Sequence, residues 1–177
     1  MSDLADRGDE PGEAGPLAIQ TDDPLADDVR ALLAKHLAFS DATTPPAYAF
    51  ALDAERLAEP GVTFFSARLD GMLVGVGALK RLDDRHAELK SMHTLEAERR
   101  RGVGRAIVEH ILVFARAQGF ERVSLETGTM EEFAPARSLY RQMGFEPCEP
   151  FGDYQKSPYN TWMTMELAER RAGRASP

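Results

Sequence analysis

Arg99-Arg100-Arg101-Gly102-Val103-Gly104-Arg105-Ala106 places four arginines and no acid within one short stretch of a chain whose formal net charge is -8. An apolar periodicity begins in the same place: Val103, Ile107, Ile111, Phe114 and Ala115 fall on one face of a helix that the spacing predicts over 103–118, with Gly119 placed to end it. Positive side chains at a helix N-terminus oppose the helix dipole, and the first N–H groups of the helix have no partners within it. Glycines at 102 and 104 let a ligand come close to those donors. A bound anion resolves the conflict, and phosphate oxygens suit such a site. The competing reading, a solvated basic loop, leaves the charge at the wrong end of the dipole without a cause.

Two other phosphate-binding patterns fail here. The P-loop requires Gly-Lys-Ser or Gly-Lys-Thr, which the chain lacks. A dinucleotide fingerprint requires a third Gly or Ala where Ile107 stands, and a tight turn where several residues separate Thr94 from Gly102. Glu126 does stand about where a ribose-binding acid would be, so that pattern is kept as a distant alternative.

Working outward, the segment before the loop predicts a strand over 86–94 whose apolar Leu89 and Met92 lie three apart, a break in the two-residue alternation that points to a bulge. Strands over 62–69 and 72–79 flank Asp70-Gly71, a two-residue hairpin turn, and Asp83-Asp84 makes a second turn. After the helix, Val123, Leu125 and Thr127 alternate in a strand, so strand, helix and strand form a βαβ unit with parallel pairing. A helix over 135–143 ends at Gly144, and strands over 145–148 and 160–167 follow. Near the N-terminus a helix is predicted over 24–39, with Asp23 as N-cap and Leu25, Val29, Leu32, Leu33 and His36 on one face. Residues 40–46 break it, and a shorter helix over 48–57 closes at Pro60-Gly61. The fold class is therefore α+β, sandwich-like: a mixed, mainly antiparallel sheet with one parallel pair and flanking helices. Residues 1–15 read as a mobile acidic tail, 16–170 as one domain and 171–177 as a frayed end.

Composition narrows the function classes. The acidic balance argues against binding along a nucleic-acid backbone. No run of about 18 apolar residues supports a membrane span, and the acidic N-terminus does not read as an export signal. Cys148 is the only cysteine, which excludes an internal disulfide and a multi-cysteine metal site, so a cytoplasmic protein without metal is expected. Cys148 itself reads as a small apolar residue rather than a nucleophile.

Arg99, Gly102 and Gly104 match the pyrophosphate-loop pattern Arg or Gln, two residues, Gly, one residue, Gly or Ala, and Ala136-Arg137-Ser138-Leu139-Tyr140-Arg141-Gln142-Met143-Gly144-Phe145 matches the pattern Ala-x-x-Leu-Tyr-x-x-x-Gly-Phe. With both in order, separated by one helix and one strand, the chain from Gly61 to Leu167 resembles the GNAT superfamily of N-acetyltransferases. The resemblance implies an acyl-CoA N-acyltransferase fold with a splayed parallel pair, acetyl-CoA as cosubstrate, and direct attack by an amine of a small molecule or peptide. It also implies a pantetheine arm beside Met92, His93 and Thr94, a pyrophosphate on the amides of Arg100, Arg101, Gly102, Val103, Gly104 and Arg105, flanked by Arg99 and Ala106, and a possible homodimer. Phe133 departs from the family, many members of which carry Asn there to contact the cofactor.

Tyr140 is implied as the acid that protonates the departing sulfur; on spacing alone it reads equally as a core tyrosine packed with Ala136 and Met143. For the base, Glu88, His93, Glu126 and water are all open, with Glu88 preferred, although a strand carboxylate there can simply pair with Lys90. The segment 148–154, rich in proline and aromatics, is expected near the acceptor side. A non-catalytic acyl-CoA sensor is the alternative to an enzyme, and retention of Tyr140 favours the enzyme.

Overall fold

The computed structural model describes residues 15–167. Of the expected tail at 1–15 only Gly15 falls within them, and the expected end at 171–177 lies outside. Seven strands form one sheet in the order β1-β2-β3-β4-β5-β7-β6: β1 Ala18–Thr21, β2 Val62–Leu69, β3 Met72–Arg81, β4 His86–Thr94, β5 Arg122–Gly128, β6 Glu146–Cys148 and β7 Asn160–Glu166. All neighbours pair antiparallel except β4 and β5, which run parallel, as expected for a mixed sheet around one βαβ unit. The helices are α1 Asp27–Thr43, α2 Ala54–Leu57, α3 Val103–Ala117 and α4 Ala134–Gln142. Among the described residues no helix is long and apolar enough to cross a membrane.

Side chains alternate across the sheet, and each face has its own cover. Beneath α3 and α4 lies the larger core, in which Ile107, Val108, Ile111 and Ala115 are fully enclosed against Ala87, Leu89, Val123 and Leu125. Each enclosed branched aliphatic side chain is worth about 1.5–3 kcal/mol of transfer free energy, so α3 is anchored far more firmly than its propensity alone would hold it. The opposite face packs Phe64, Val76 and Ala78 under Val29, Leu32 and Leu33 of α1 and Leu57 of α2. At Asp70-Gly71 both residues take positive φ, 48° and 81°, as the hairpin signal requires.

The N-terminal third departs from expectation. The edge strand β1 carries only Ile19 as a large apolar residue, too little signal to read from sequence. Helix α1 starts at Asp27 rather than Pro24 because the Asp23 carboxylate accepts from the Leu25 amide at 2.8 Å and makes a turn instead of a cap. It then runs past Phe39 to Thr43, since no breaker intervenes before Pro45-Pro46. The helix expected over 48–57 is a 3-10 turn at Pro46–Tyr48, an extended segment, and the single turn α2, capped by Asp53 accepting from Arg56 N at 2.8 Å.

Candidate active site

The two parallel strands are paired only as far as Leu89↔Leu125. Past that point β4 continues to Thr94 and β5 to Gly128 without pairing to each other, while β4 keeps its ladder to β3 through Val76↔His93 and Gly75↔Thr94 and β5 its ladder to β7 through Glu126↔Trp162 and Gly128↔Asn160. The cause is local. Register slips between Val76 and Ala78, and Ser91 takes φ 54°, a left-handed conformation that bulges β4 away from β5. The irregularity that Leu89 and Met92 signalled is this bulge. A cavity of about 110 Å³ lies at the fork, with Lys90, Ser91 and Met92 on one side and Glu126, Thr127 and Gly128 on the other. Tyr140 of α4 and His36 of α1 reach it from opposite faces of the sheet.

Tyr140 is 6% exposed and belongs to the core under α4, in edge contact with the Phe145 ring at 5.8 Å, and it also lines the cavity. Burial, and after it the Glu126 carboxylate, hold the phenol well above the usual tyrosine value. It stays protonated across the neutral range.

Glu126 is oriented by Asn160, whose side-chain amide donates to its Oε1 at 2.5 Å and to the Tyr48 carbonyl at 3.0 Å. Burial raises the Glu126 carboxyl above the ordinary carboxylate range, against the Asn160 hydrogen bond and the Lys90 charge that pull it down. Glu88 is disposed differently. It is buried on the same face, where its Oε1 accepts from Tyr154 Oη at 2.5 Å and from Lys90 Nζ at 3.1 Å, while Lys90 also donates to Tyr154 Oη at 2.8 Å. The pairing with Lys90 that sequence left open is therefore made, closed by a tyrosine from 66 residues along the chain. His93 stacks edge-on against His36 at 5.3 Å, and burial holds both at about 4, neutral at physiological pH.

The arginine and glycine loop sits at the start of α3. Gly102 is its N-cap with φ 83°, no side chain caps the helix, and no acid occupies the first turn. Arg100 is also left-handed, at φ 64°. At Gly104 a Cβ would lie 3.5 Å from Thr94 Oγ1 and 3.6 Å from Leu139 Cδ2, so the helix start abuts the end of the open edge of β4. The arginines are partly engaged: Arg101 donates to Glu98 at 2.8 Å, Arg105 to Gln142 at 3.1 Å, and Arg99 Nε to the Thr94 carbonyl at 3.4 Å.

Sequence reasoning missed Asn160, Tyr154 and the role of Arg137, which donates to the carbonyls of Gly128 and Met130 at 2.7 and 2.8 Å and pins the end of β5. Phe133 packs its ring where a side chain on Gly128 would have to go and meets Phe39 of α1 at 5.3 Å, walling the cavity with hydrocarbon. The segment after Cys148 delivers Phe151 and Tyr154, which stack in sequence with His86 and Phe50. Burial, its largest influence, raises the Cys148 thiol. Among the described residues no group of three or more His, Cys, Asp or Glu side chains converges as a metal site requires.

Known proteins carry the same architecture. Residues 27–145 match the family model described as the acetyltransferase (GNAT) family. The chain is 44% identical to the N-acetyltransferase YsnE of Bacillus subtilis, itself uncharacterized, over 84% of this chain and 99% of that one. It is 44% identical to the likewise uncharacterized N-acetyltransferase YedL of Escherichia coli over 85% of this chain and 95% of that one. An aminoglycoside 6'-N-acetyltransferase solved with coenzyme A superposes with a TM-score of 0.66 at 13% identity, over 86% of this chain and 98% of that one, a likeness of fold. The forked parallel pair, the uncapped glycine start of α3 and the Tyr140 segment thus occur together in a chain that belongs to the GNAT family of acetyltransferases.

Proposed function

We propose that this protein transfers an acetyl group from acetyl-CoA to an amine of a small molecule or peptide, by direct attack with both substrates bound. The observation that carries the reading is the convergence of a protonated phenol, Tyr140, and a carboxylate, Glu126, on one cavity at the end of an unpaired strand edge. The residues fit an acyl-CoA. The unpartnered amides at the start of α3 suit a diphosphate, the open edge at Met92, His93 and Thr94 suits an arm that pairs like a strand, and the fork cavity suits the reacting end. When bound, acyl-CoA supplies an activated thioester whose sulfur leaves with negative charge.

The side chains divide the proton work. Glu126 accepts the proton of the attacking amine, and its contacts favour it over Glu88, both of whose Oε1 donors belong to the protein and which does not line the cavity. Asn160 holds one Glu126 oxygen and so fixes the direction of the other. Tyr140 holds its proton at Oη for the departing group. The two are linked, because the Glu126 charge is part of what makes Tyr140 a weak acid. Once Glu126 has taken a proton that charge is gone, and Tyr140 becomes a better donor at the moment a donor is needed. His93 packs its ring against His36 and does not line the cavity.

Thiol release from acetyl-CoA, followed across a panel of amines, amino acids and peptides, tests the reading and identifies the acceptor. At least one amine should give turnover, and Tyr140→Phe should lower kcat about 100-fold while acetyl-CoA affinity stays within about twofold. Unchanged turnover in Tyr140→Phe would remove the phenol from the mechanism.

A further inference from the structure

Asn160, the first residue of β7, is buried, and both polar atoms of its side chain have partners. Its Nδ2 donates to the Tyr48 carbonyl at 3.0 Å and to Glu126 Oε1 at 2.5 Å, while its Oδ1 accepts from Ser157 Oγ at 2.5 Å. An amide is nearly symmetrical in shape, so its neighbours decide which end is which. The Tyr48 carbonyl can only accept and the Ser157 hydroxyl brings a proton, so together they turn Nδ2 toward Glu126. Ser157 is held in turn, because its Oγ accepts from the Tyr159 amide at 3.2 Å. Thr129, just past the end of β5, ties down the same turn: its amide donates to the Tyr159 carbonyl at 3.0 Å and its hydroxyl to the Pro158 carbonyl at 2.7 Å.

This orientation has a chemical consequence. A carboxyl oxygen that receives an N–H acts as the acceptor whether or not the group is protonated, so Glu126 Oε1 is kept free of the proton and Oε2 carries it. Oε2 has no hydrogen-bond partner among the described residues, yet the fully enclosed side-chain atoms without partners there are Ser91 Oγ and Trp162 Nε1. Oε2 is therefore open, and the space that Glu126 borders is the fork cavity. Ser157 does not border that cavity, so its influence on the chemistry passes through Asn160. Other groups also bear on Glu126: Lys90 of β4 favours its charge, Glu88 opposes it, and the phenols of Tyr140 and Tyr154 and the ring of His36 face it uncharged. Asn160 is the side chain that holds Oε1.

We infer that Ser157 is a positioning residue for the transfer: through Asn160 it directs the incoming proton to Glu126 Oε2, the oxygen open to the cavity. This rests on the reading of Glu126 as the base. Loss of the Ser157 hydroxyl strands Oδ1 of a buried amide, which shifts to find another donor and loosens its hold on Oε1. The ionised carboxylate loses more than the neutral acid does, since a hydrogen bond to a charged acceptor is the stronger, so the Glu126 pKa rises further.

Titration of the Glu126 carboxyl by carbon NMR in the ligand-free full chain, with its resonance assigned by its disappearance in Glu126→Gln, reads this contact without turnover. Ser157→Ala should raise the midpoint by about 0.5–1 pH unit and Asn160→Ala by about 1–2, while Ser157→Thr, which keeps the hydroxyl, should move it by less than about 0.2. The rising limb of kcat against pH should move by the same amount in each variant, with acetyl-CoA affinity within about twofold of wild type. A merely structural Ser157 would lower the melting temperature, or kcat at every pH alike, and leave both midpoints in place; that result would overturn the inference, as would an equal shift in Ser157→Thr. A moved NMR midpoint with an unmoved rate limb would instead remove Glu126 as the base, and this inference with it.

Discussion

The two faces of the sheet solve different problems with the same strands. Under α3 and α4 the alternating positions of β4 and β5 are Ala87, Leu89, Val123 and Leu125, all closed to solvent and free of charge. One residue along each strand, the other face carries His86, Glu88 and Lys90 on β4 and Ser124 and Glu126 on β5. There each of these side chains is hydrogen-bonded: His86 Nε2 with Ser124 Oγ at 2.7 Å, Glu88 with Lys90 and Tyr154, Glu126 with Asn160. The first face is a rigid mount for the start of α3, the proposed anion site. The second keeps buried ionisable groups at a tolerable cost, because a buried charge without partners is far more expensive than one held in a network. The fork at Leu89↔Leu125 is where the mount and the chemistry meet.

Exchanging the roles of the faces by mutation should therefore give separable defects. The largest effect is expected on the polar face: Glu126→Gln should lower kcat about 1,000-fold with acetyl-CoA affinity nearly unchanged. In wild type the rate should rise with pH through a value above the ordinary carboxylate range, because the base must be ionised and burial raises its pKa; Glu126→Gln should abolish that limb. Glu88→Gln should instead keep activity within about tenfold, so a reversed pattern in the two variants would return the base to Glu88.

On the apolar face the expected loss is stability. Ile107→Ala leaves a cavity in a fully enclosed site and should cost about 2–5 kcal/mol in chemical denaturation, while the kcat of the protein that remains folded stays near wild type. A smaller loss of the same kind belongs to Tyr154→Phe, which removes a hydroxyl shared by Glu88 and Lys90. About 2 kcal/mol, or roughly 4–8 °C in melting temperature, is expected.

The smallest effect sharpens the comparison through pH. His36 and His93, on the polar face, are both held at about 4 when folded, against 6.5 unperturbed. The unfolded chain takes up protons that the folded one refuses, so stability should fall as pH drops from 6.5 toward 4 and level off below. His36→Phe combined with His93→Phe should reduce that loss, leaving the part owed to His86, which burial and then the Arg122 charge also lower, and exposing the opposite slope of the raised Glu126. The paired carboxylates Asp22 and Asp28 act only lower. Burial tends to raise Asp22 but is outweighed by Ser66, the Asp23 amide and Arg68, and the Arg68 hydrogen bond lowers Asp28, so their contribution is kept until the pH falls below the ordinary value of 3.8.

The difference between the faces also governs what could be read from sequence. The apolar face and its helix start were legible because their determinants are local: a 3.6-residue periodicity from Val103, glycines at 102 and 104, the Tyr140 segment, and a hairpin at Asp70-Gly71. The polar face was not. Glu126 meets Asn160 across 34 positions and Glu88 meets Tyr154 across 66, and a single Asn or Tyr at a strand or loop position carries no periodic signal of what it will touch. Nor can sequence choose between Glu88 and Glu126 as the proposed base, since both are carboxylates on central strands and only their partners separate them. Local chemistry misled once as well: Asp23-Pro24 has the composition of a helix start but spends its carboxylate on a turn, and α1 begins three residues later than Pro24.

If the bare start of α3 holds the diphosphate of an acyl-CoA, Gly104→Asp should break that hold without unfolding the helix. There is room for the new Cβ, and an acid in the first turn complements the helix dipole, so the ligand-free protein should melt at or above the wild-type temperature. The same carboxylate would occupy and repel the anion site. Titration should then show saturable acetyl-CoA binding to wild type and at least about 100-fold weaker binding to the variant. Equal affinity in the two proteins, or no binding to wild type, would contradict the account.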